Sequence, residues 1–180
     1  MNSDPTRYTR TAMALHWLLA LAIVCAFGVG LYMTDLRMSP TRLKLFNWHK
    51  WAGITILVLS AARLLWRLSH RPPADVPMPA WQAQAAHAAH ILLYVAFFAL
   101  PLSGWAYSSA AGFPIVWFGL IPLPDLVSPD KALAETLKTA HHWIAYGLAA
   151  LVLVHVGAAL KHQFIDRDGL LARMLPRMSK

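Results

Sequence analysis

Two histidines near the C-terminal end of the chain are spaced so that one helix could hold two cofactors at different depths. His141 and His155 lie in the apolar stretch TAHHWIAYGLAALVLVHVGAALKHQF, residues 139–164, and are 14 positions apart. On an α-helix this spacing returns to within roughly 40° of the same face and separates the two side chains by about 21 Å along the axis. His142 points roughly 140° away from His155. His141 is therefore the better candidate ligand, and His142 is expected in the interface.

The composition places these histidines in a membrane protein. The chain is 58% hydrophobic and 13% charged and has eight Trp in 180 residues, whereas about a quarter of the residues of a soluble domain are charged. The net charge of +8 is scattered at the ends of apolar runs and forms no basic stripe, which argues against nucleic-acid binding. Cys25 is the single cysteine, so covalent haem attachment is excluded and any haem needs axial ligands. We expect Cys25 to be a small buried hydrophobe.

Four apolar segments predict an all-α fold, an integral membrane four-helix bundle that forms one domain over residues 1–180. The predicted spans are 12–34, 47–68, 85–107 and 139–162. The second is the weakest, because it requires Arg63 and Arg67 to lie near a membrane surface with their side chains snorkelling. The third contains Pro101 and Gly104 and should be kinked.

The connections predict which side of the membrane holds the termini. Residues 110–124, AAGFPIVWFGLIPLP, are too rich in Gly and Pro for a helix and predict an apolar interfacial loop. Residues 125–138 form a charged connection in which Ser128, Pro129 and Asp130 predict the start of a short surface helix. Four spans put both termini on one side, together with ten of the 16 Lys and Arg. The positive-inside rule therefore predicts that both termini are cytoplasmic.

With this topology four histidines sort by depth into two pairs. His16 in the first span should meet His155, and His49 at the start of the second should meet His141. Two neutral imidazoles are suitable axial ligands for haem b, and they leave no iron position open for oxygen. Such sites transfer electrons.

Further histidines leave alternatives open. His87 and His90 enter the third span at about the depth of His16 and His155. They could replace one of these as a ligand, bond a haem propionate or a quinone carbonyl, or be polar residues at a helix entrance. His162 follows His155 by seven residues, about 20° off its face, and is better placed for a quinone headgroup. His70, in the proline-rich loop, is expected to be exposed.

Several motifs carry a family resemblance. The segments RYTRTAMALHW, WHKWAGITILVLSAARLLWRL, HAAHILLYVAFFALPLSGW and HHWIAYGLAALVLVHVGAALKHQFIDRDGLLARMLP resemble the bacterial cytochrome b561 family in order and over nearly the whole chain. The resemblance implies an inner-membrane four-helix bundle with two b haems, ubiquinone as acceptor and, in one branch, periplasmic superoxide as donor. Its implied axial ligands are His16, His49, His141 and His155. This chain departs from the pattern by placing His142 beside His141.

The resemblance predicts that the chain is a superoxide:ubiquinone oxidoreductase of the bacterial inner membrane. Its expected partners are ubiquinone, superoxide and membrane lipid, and the sequence is compatible with a homodimer. Basic residues of the outer loops should attract a small anion. They are Arg37, Arg42, Lys44, Lys50, Lys131 and Lys138. Candidate quinone contacts are His162, His87 and Arg10. Two alternatives remain: an electron-relay cytochrome subunit of a larger hydrogenase or dehydrogenase, and a transporter whose histidines form a proton or metal path.

Overall fold

Four long helices dominate the computed structural model, which describes residues 6–175. They are α1 (Arg10–Asp35), α2 (Pro40–Ser69), α3 (Ala80–Ala110) and α4 (Lys131–Lys161). Each is long and apolar enough to cross a membrane. The chain is therefore an all-α, multi-pass membrane four-helix bundle.

The helices are longer than the spans predicted from hydropathy. Ranges 12–34, 47–68 and 85–107 lie inside α1, α2 and α3, while 139–162 runs one residue past α4. That residue, His162, opens a π-helical turn, His162–Asp166, which a 3₁₀ turn, Leu171–Met174, follows. The prediction of a separate short surface helix is wrong, because its residues form the first turns of α4. Good helix formers and no Gly or Pro fill this segment, so the helix continues into the apolar run.

Side-chain caps fix where three helices begin. Thr9 accepts a hydrogen bond from the Ala12 backbone N–H at α1, and Ser39 accepts one from Arg42 at α2, where Pro40 is the first helical residue. Asp130 caps α4 through the Leu133 N–H at 2.9 Å. Each cap satisfies a donor that the first helical turn leaves unpaired.

The predicted interfacial loop folds into a small hairpin against α2. Its strands are β1 (Val116–Trp117) and β2 (Ile121–Pro122), paired antiparallel. The Trp51 Nε1–H donates to the Val116 carbonyl at 2.6 Å, and the Lys50 ammonium donates to the carbonyls of Phe113 and Pro114. The hairpin therefore covers the end of α2 that carries His49.

The helices do not pack equally closely. Close pairs are α3 with α4, α1 with α2, and α2 with α3. A buried cluster of Leu93, Ala96 and Leu148 joins α3 to α4 near mid-depth. Cys25 is exposed, so the expectation that it is buried is wrong: α1 turns this face outward, where lipid would meet it.

Candidate functional site

The end of the bundle where the hairpin lies, which we name the outer end, brings two imidazoles together. The rings of His49 on α2 and His141 on α4 have centroids 6.1 Å apart and planes 82° apart. An imidazole nitrogen binds a first-row metal ion at about 2.0–2.1 Å. Two rings on opposite sides of one ion therefore have centroids roughly 6 Å apart, so this outer pair, His49 and His141, fits a bis-imidazole metal centre.

Backbone carbonyls orient both rings of the outer pair. His49 Nδ1 lies 3.1 Å from the Ala26 carbonyl on α1, and His141 Nδ1 lies 3.1 Å from the Leu100 carbonyl on α3. A carbonyl can only accept, so each Nδ1 carries the proton and donates. Each Nε2 is then left with a lone pair that can bind a metal, the arrangement usual for ligating histidines. Ser103 Oγ lies 3.1 Å from His141 Nδ1 and adds a second polar neighbour.

Two glycines make room for the same rings. Gly30 follows Ala26 by one turn, and a Cβ there would lie 3.1 Å from His49 Cε1. Gly104 follows Leu100 by one turn, and a Cβ there would lie 2.9 Å from His141 Cε1. Real Cβ atoms almost never show the 2.9 Å contact, and the 3.1 Å contact is tighter than nine in ten real ones. Each ring therefore packs against a glycine while it donates to a carbonyl one turn earlier on the same helix. The two histidines of the outer pair share this arrangement.

The inner end of the bundle gathers three imidazoles. The rings of His16 and His155 have centroids 6.2 Å apart, and those of His90 and His155 are 5.7 Å apart. Both distances are compatible with two ligands on one ion, so the structure brings His155 together with the expected partner and with the alternative from α3. His16 is half-buried, whereas His90 is exposed.

Arginine, rather than hydrogen bonds, characterises this inner cluster of His16, His90 and His155. Within residues 6–175, none of the three rings makes a hydrogen bond. Arg63 on α2 lies within electrostatic range of all three. The inner cluster is therefore held by helix packing and flanked by the positive charge of Arg63, with one carboxylate, that of Asp75, within electrostatic range of His90.

The histidine pairs that could bind a cofactor bridge helices that are not packed closely against each other. The outer pair bridges α2 and α4, and His16 with His155 bridges α1 and α4. Neither helix pair is among the closely packed ones of the described chain. Leu148 lies seven residues from His141 and seven from His155, is 4% exposed and belongs to the buried apolar cluster. A buried apolar cluster thus lies between the two histidine groups along α4.

The remaining candidates lie apart from the rings. His142 is exposed, with its ring tilted 6.5 Å from that of His141. His87 and Arg10 are exposed, and nothing in residues 6–175 hydrogen-bonds or ion-pairs with their side chains. His70, also exposed, stacks on Trp66 with centroids 3.8 Å apart.

His162 is held by acidic neighbours at the inner surface. Its Nδ1 lies 2.5 Å from Asp168 Oδ2 and 3.3 Å from Asp166 Oδ2, and its side chain is 12% exposed. The pKa of Asp168 is below its ordinary value of 3.8. Slight burial raises this pKa, but the hydrogen bonds that the carboxylate accepts from the Leu170 N–H and the His162 ring together lower it by more. This carboxylate fixes the His162 ring.

Sequence reasoning missed the residues that support the rings. Gly30, Gly104 and Ser103 acquire their importance only from contacts between helices. On α1 and on α3 a glycine follows the carbonyl that accepts from a histidine by one turn. This spacing does not identify either glycine as important until the facing histidine is known. Arg63 was assigned to the membrane surface alone.

The whole chain can be compared with known proteins. Residues 7–177 match the family model described as prokaryotic cytochrome b561. The chain belongs to this family. Cytochrome b561 homologs 2 and 1 of Escherichia coli (strain K12) are 36% and 35% identical to it, over 98% and 95% of this chain and 95% and 98% of their own lengths. A protein of Yersinia pestis named probable superoxide oxidase CybB is 32% identical, over 95% of this chain and 97% of its own.

Membership establishes the general nature of the molecule. It is a membrane cytochrome of the bacterial inner membrane, its family binds haem b, and its chemistry is electron transfer of the oxidoreductase class. The histidine groups fit that cofactor in ring spacing and in the tautomer of the outer pair.

Proposed function

We propose that this cytochrome b561 binds two haem b groups and carries electrons from periplasmic superoxide to ubiquinone. The observation that supports this most directly is the presence of two imidazole groups, at opposite ends of the bundle, each with ring centroids about 6 Å apart. Haem b, when bound, accepts and releases one electron at a time. Two such groups would pass single electrons from superoxide to ubiquinone, which accepts two electrons in succession.

In this proposal His49 and His141 bind the outer haem through Nε2. Their Nδ1–H groups donate to the Ala26 and Leu100 carbonyls, which fixes the rings and increases the basicity of Nε2.

His16 and His155 are assigned to the inner haem. Both are half-buried, whereas His90 is exposed, so His16 has the better position for a ligand in an apolar site. His16 also lies on α1, which does not pack closely against α4. His90 then lies beside the cofactor as a third imidazole.

The donor side is proposed from charge and from one relative. The name of the Yersinia protein, probable superoxide oxidase, suggests superoxide as the donor here. Half of the predicted steering cations are engaged: Lys50 bonds loop carbonyls, Lys138 pairs with Glu135 at 3.2 Å, and Arg42 lies over the Phe46 ring. The exposed cations Arg37, Lys44 and Lys131 then supply the attraction. This orientation requires both termini in the cytoplasm.

His162 is the first candidate for the quinone headgroup. Asp168 accepts from its Nδ1–H, and when the ring carries a proton on both nitrogens, Nε2–H can donate to a quinone carbonyl at the membrane surface. His87 and Arg10 are weaker candidates because both are exposed and lack such support.

The proposal is tested with purified protein in two steps. A reduced-minus-oxidised spectrum with haem quantified per chain should give two b haems. A superoxide pulse should then reduce the haems faster than buffer alone, and added ubiquinone should reoxidise them. One haem per chain would contradict the di-haem assignment. Reduction that requires an added protein partner would instead support a relay subunit.

A further inference from the structure

A cleft at the inner end of the bundle is lined by four arginines and opens beside the inner cluster. The arginines are Arg7, Arg63, Arg67 and Arg71. Its wall includes Leu15, which precedes His16, and Tyr94, one turn after His90. The cleft therefore lies beside the inner cluster, between α1, α2 and α3, although its wall includes none of the three rings.

No carboxylate forms an ion pair with these arginines within the described part of the chain, although Asp75 lies within electrostatic range of the nearby His90. The cleft wall contains neither Asp nor Glu, and no ion pair in residues 6–175 involves any of the four. Arg7 uses its guanidinium on the Leu175 carbonyl. Four like charges around one cleft repel each other unless an anion lies between them.

Arg63 differs from the charges that only set topology. It lies six residues before the end of α2, is half-buried, and is within electrostatic range of His16, His90 and His155. Topology-setting cations usually lie at helix ends or in loops. Ser60, one turn earlier on the same side of α2, is completely buried, and its hydroxyl has no partner among residues 6–175. This part of α2 presents polar groups to the bundle interior without protein partners for them.

We propose that Arg63, at the head of the arginine cleft, pairs with a propionate carboxylate of the inner haem and positions that haem. The inference rests on the di-haem function proposed above. A guanidinium can hold a carboxylate through two parallel hydrogen bonds, and haem b carries two such carboxylates. Arg63 is then a positioning residue that stabilises haem binding and, as a nearby positive charge, favours the reduced state.

The first experiment measures how fast each haem leaves the purified holoprotein for an excess of a haem-scavenging globin. For Arg63→Gln we expect inner haem to leave about tenfold faster, because a hydrogen-bonded charge pair is lost. Arg63→Lys should restore part of the retention. Lys44→Gln removes the same charge from the exposed outer end of α2 and should leave the dissociation rates of both haems unchanged. Unchanged outer-haem retention in Arg63→Gln shows that the bundle is folded.

The second experiment separates the carboxylate from a general structural role. Apoprotein from haem-deficient cells is loaded with haem b or with its dimethyl ester, which lacks the two acid groups. The Arg63→Gln effect should appear with haem b and disappear with the ester, as in a double-mutant cycle. In redox titrations with haem b, the inner potential should fall while the outer potential stays unchanged.

Three outcomes would overturn the inference. Equal acceleration for haem b and the ester would mean that Arg63 acts only on the fold. No acceleration for either would mean that the cleft takes another anion, such as a lipid phosphate. If the wild type bound one haem, lost in His141→Ala, the di-haem function itself would fail. Two haems per chain with an inert Arg63→Gln would contradict only the present inference.

Discussion

The two ends of the bundle hold their histidines in different ways. At the outer end each ring donates to a backbone carbonyl and packs over a glycine, so both imidazoles are oriented by the protein itself. At the inner end three rings lie near one another without hydrogen bonds in the described chain, beside unpaired arginines. The outer site is therefore preorganised, and the inner site depends more on what its cofactor contributes.

Removing one ring at a time should have the largest effect and decides which inner imidazoles are ligands. His16→Ala should lose one haem per chain, because a bis-imidazole site cannot hold its cofactor tightly with one ligand. His90→Ala should retain two haems with a small spectral change. Haem quantification and the low-temperature α-band measure both. Loss of haem in His90→Ala with retention in His16→Ala would reverse the assignment.

The same measurement separates the adjacent histidines of α4. His141→Ala should lose the outer haem, whereas His142→Ala should keep both, because only His141 faces His49. A colourless outer site in His142→Ala would contradict the ring geometry.

Gly104→Ala should have the next largest effect, confined to the outer site. The new methyl group would lie 2.9 Å from His141 Cε1, while the ring is tied to the carbonyl one turn away. We expect most outer haem to be lost and the inner haem to remain. Gly30→Ala, with a 3.1 Å contact, should weaken outer-haem retention less.

Two other glycines provide matched controls. A Cβ at Gly28 on α1 or at Gly147 on α4 would meet nothing within 4 Å. Both substitutions should leave haem content unchanged and stabilise their helices by about 0.5–1 kcal/mol. If Gly28→Ala reduced haem content as much as Gly104→Ala, helix propensity rather than space for the ring would explain the effect.

The sequence predicts the helices and the depth of each histidine well. Helical period and apolar length are local properties. The four spans, and which histidines lie near which membrane surface, therefore follow from spacing alone. His49 and His141 are predicted at the same depth because their helices start on the same side of the membrane. The ligand roles and the cytoplasmic termini stay predictions.

Rotation of each helix about its own axis is what the sequence does not predict. His90 faces His155 and Cys25 faces outward because of how α3 and α1 pack, and packing depends on side chains far away in the chain. The supporting contacts join residues 23 and 41 positions apart, Ala26 with His49 and Leu100 with His141. Apolar helices offer few local signals for such contacts, because lipid-facing and buried positions are equally hydrophobic.

Ser103→Ala should alter the outer site slightly. The hydroxyl lies 3.1 Å from His141 Nδ1, which also donates to the Leu100 carbonyl at 3.1 Å. Because the carbonyl alone can keep the ring oriented, haem content should not change. Loss of one polar neighbour should shift the outer potential by an amount equivalent to less than about 1 kcal/mol. A redox titration that shifted only the inner potential would contradict this.

The smallest effect is expected from acid, which should loosen the turn around Asp168 at the inner surface and leave the outer site intact. The lowered pKa of Asp168 means that its bonds to His162 and to the Leu170 N–H contribute stability above pH 3.8 and are lost as the pH falls through that lower pKa. Amide exchange at Leu170, corrected for intrinsic pH dependence, should therefore accelerate only in that acidic range. Asp168→Asn should show a modest acceleration already at pH 7, with the spectrum of the outer haem unchanged. Equal exchange in the variant and the wild type at pH 7 would mean that the carboxylate does not hold this turn, and the support proposed for His162 would be lost with it.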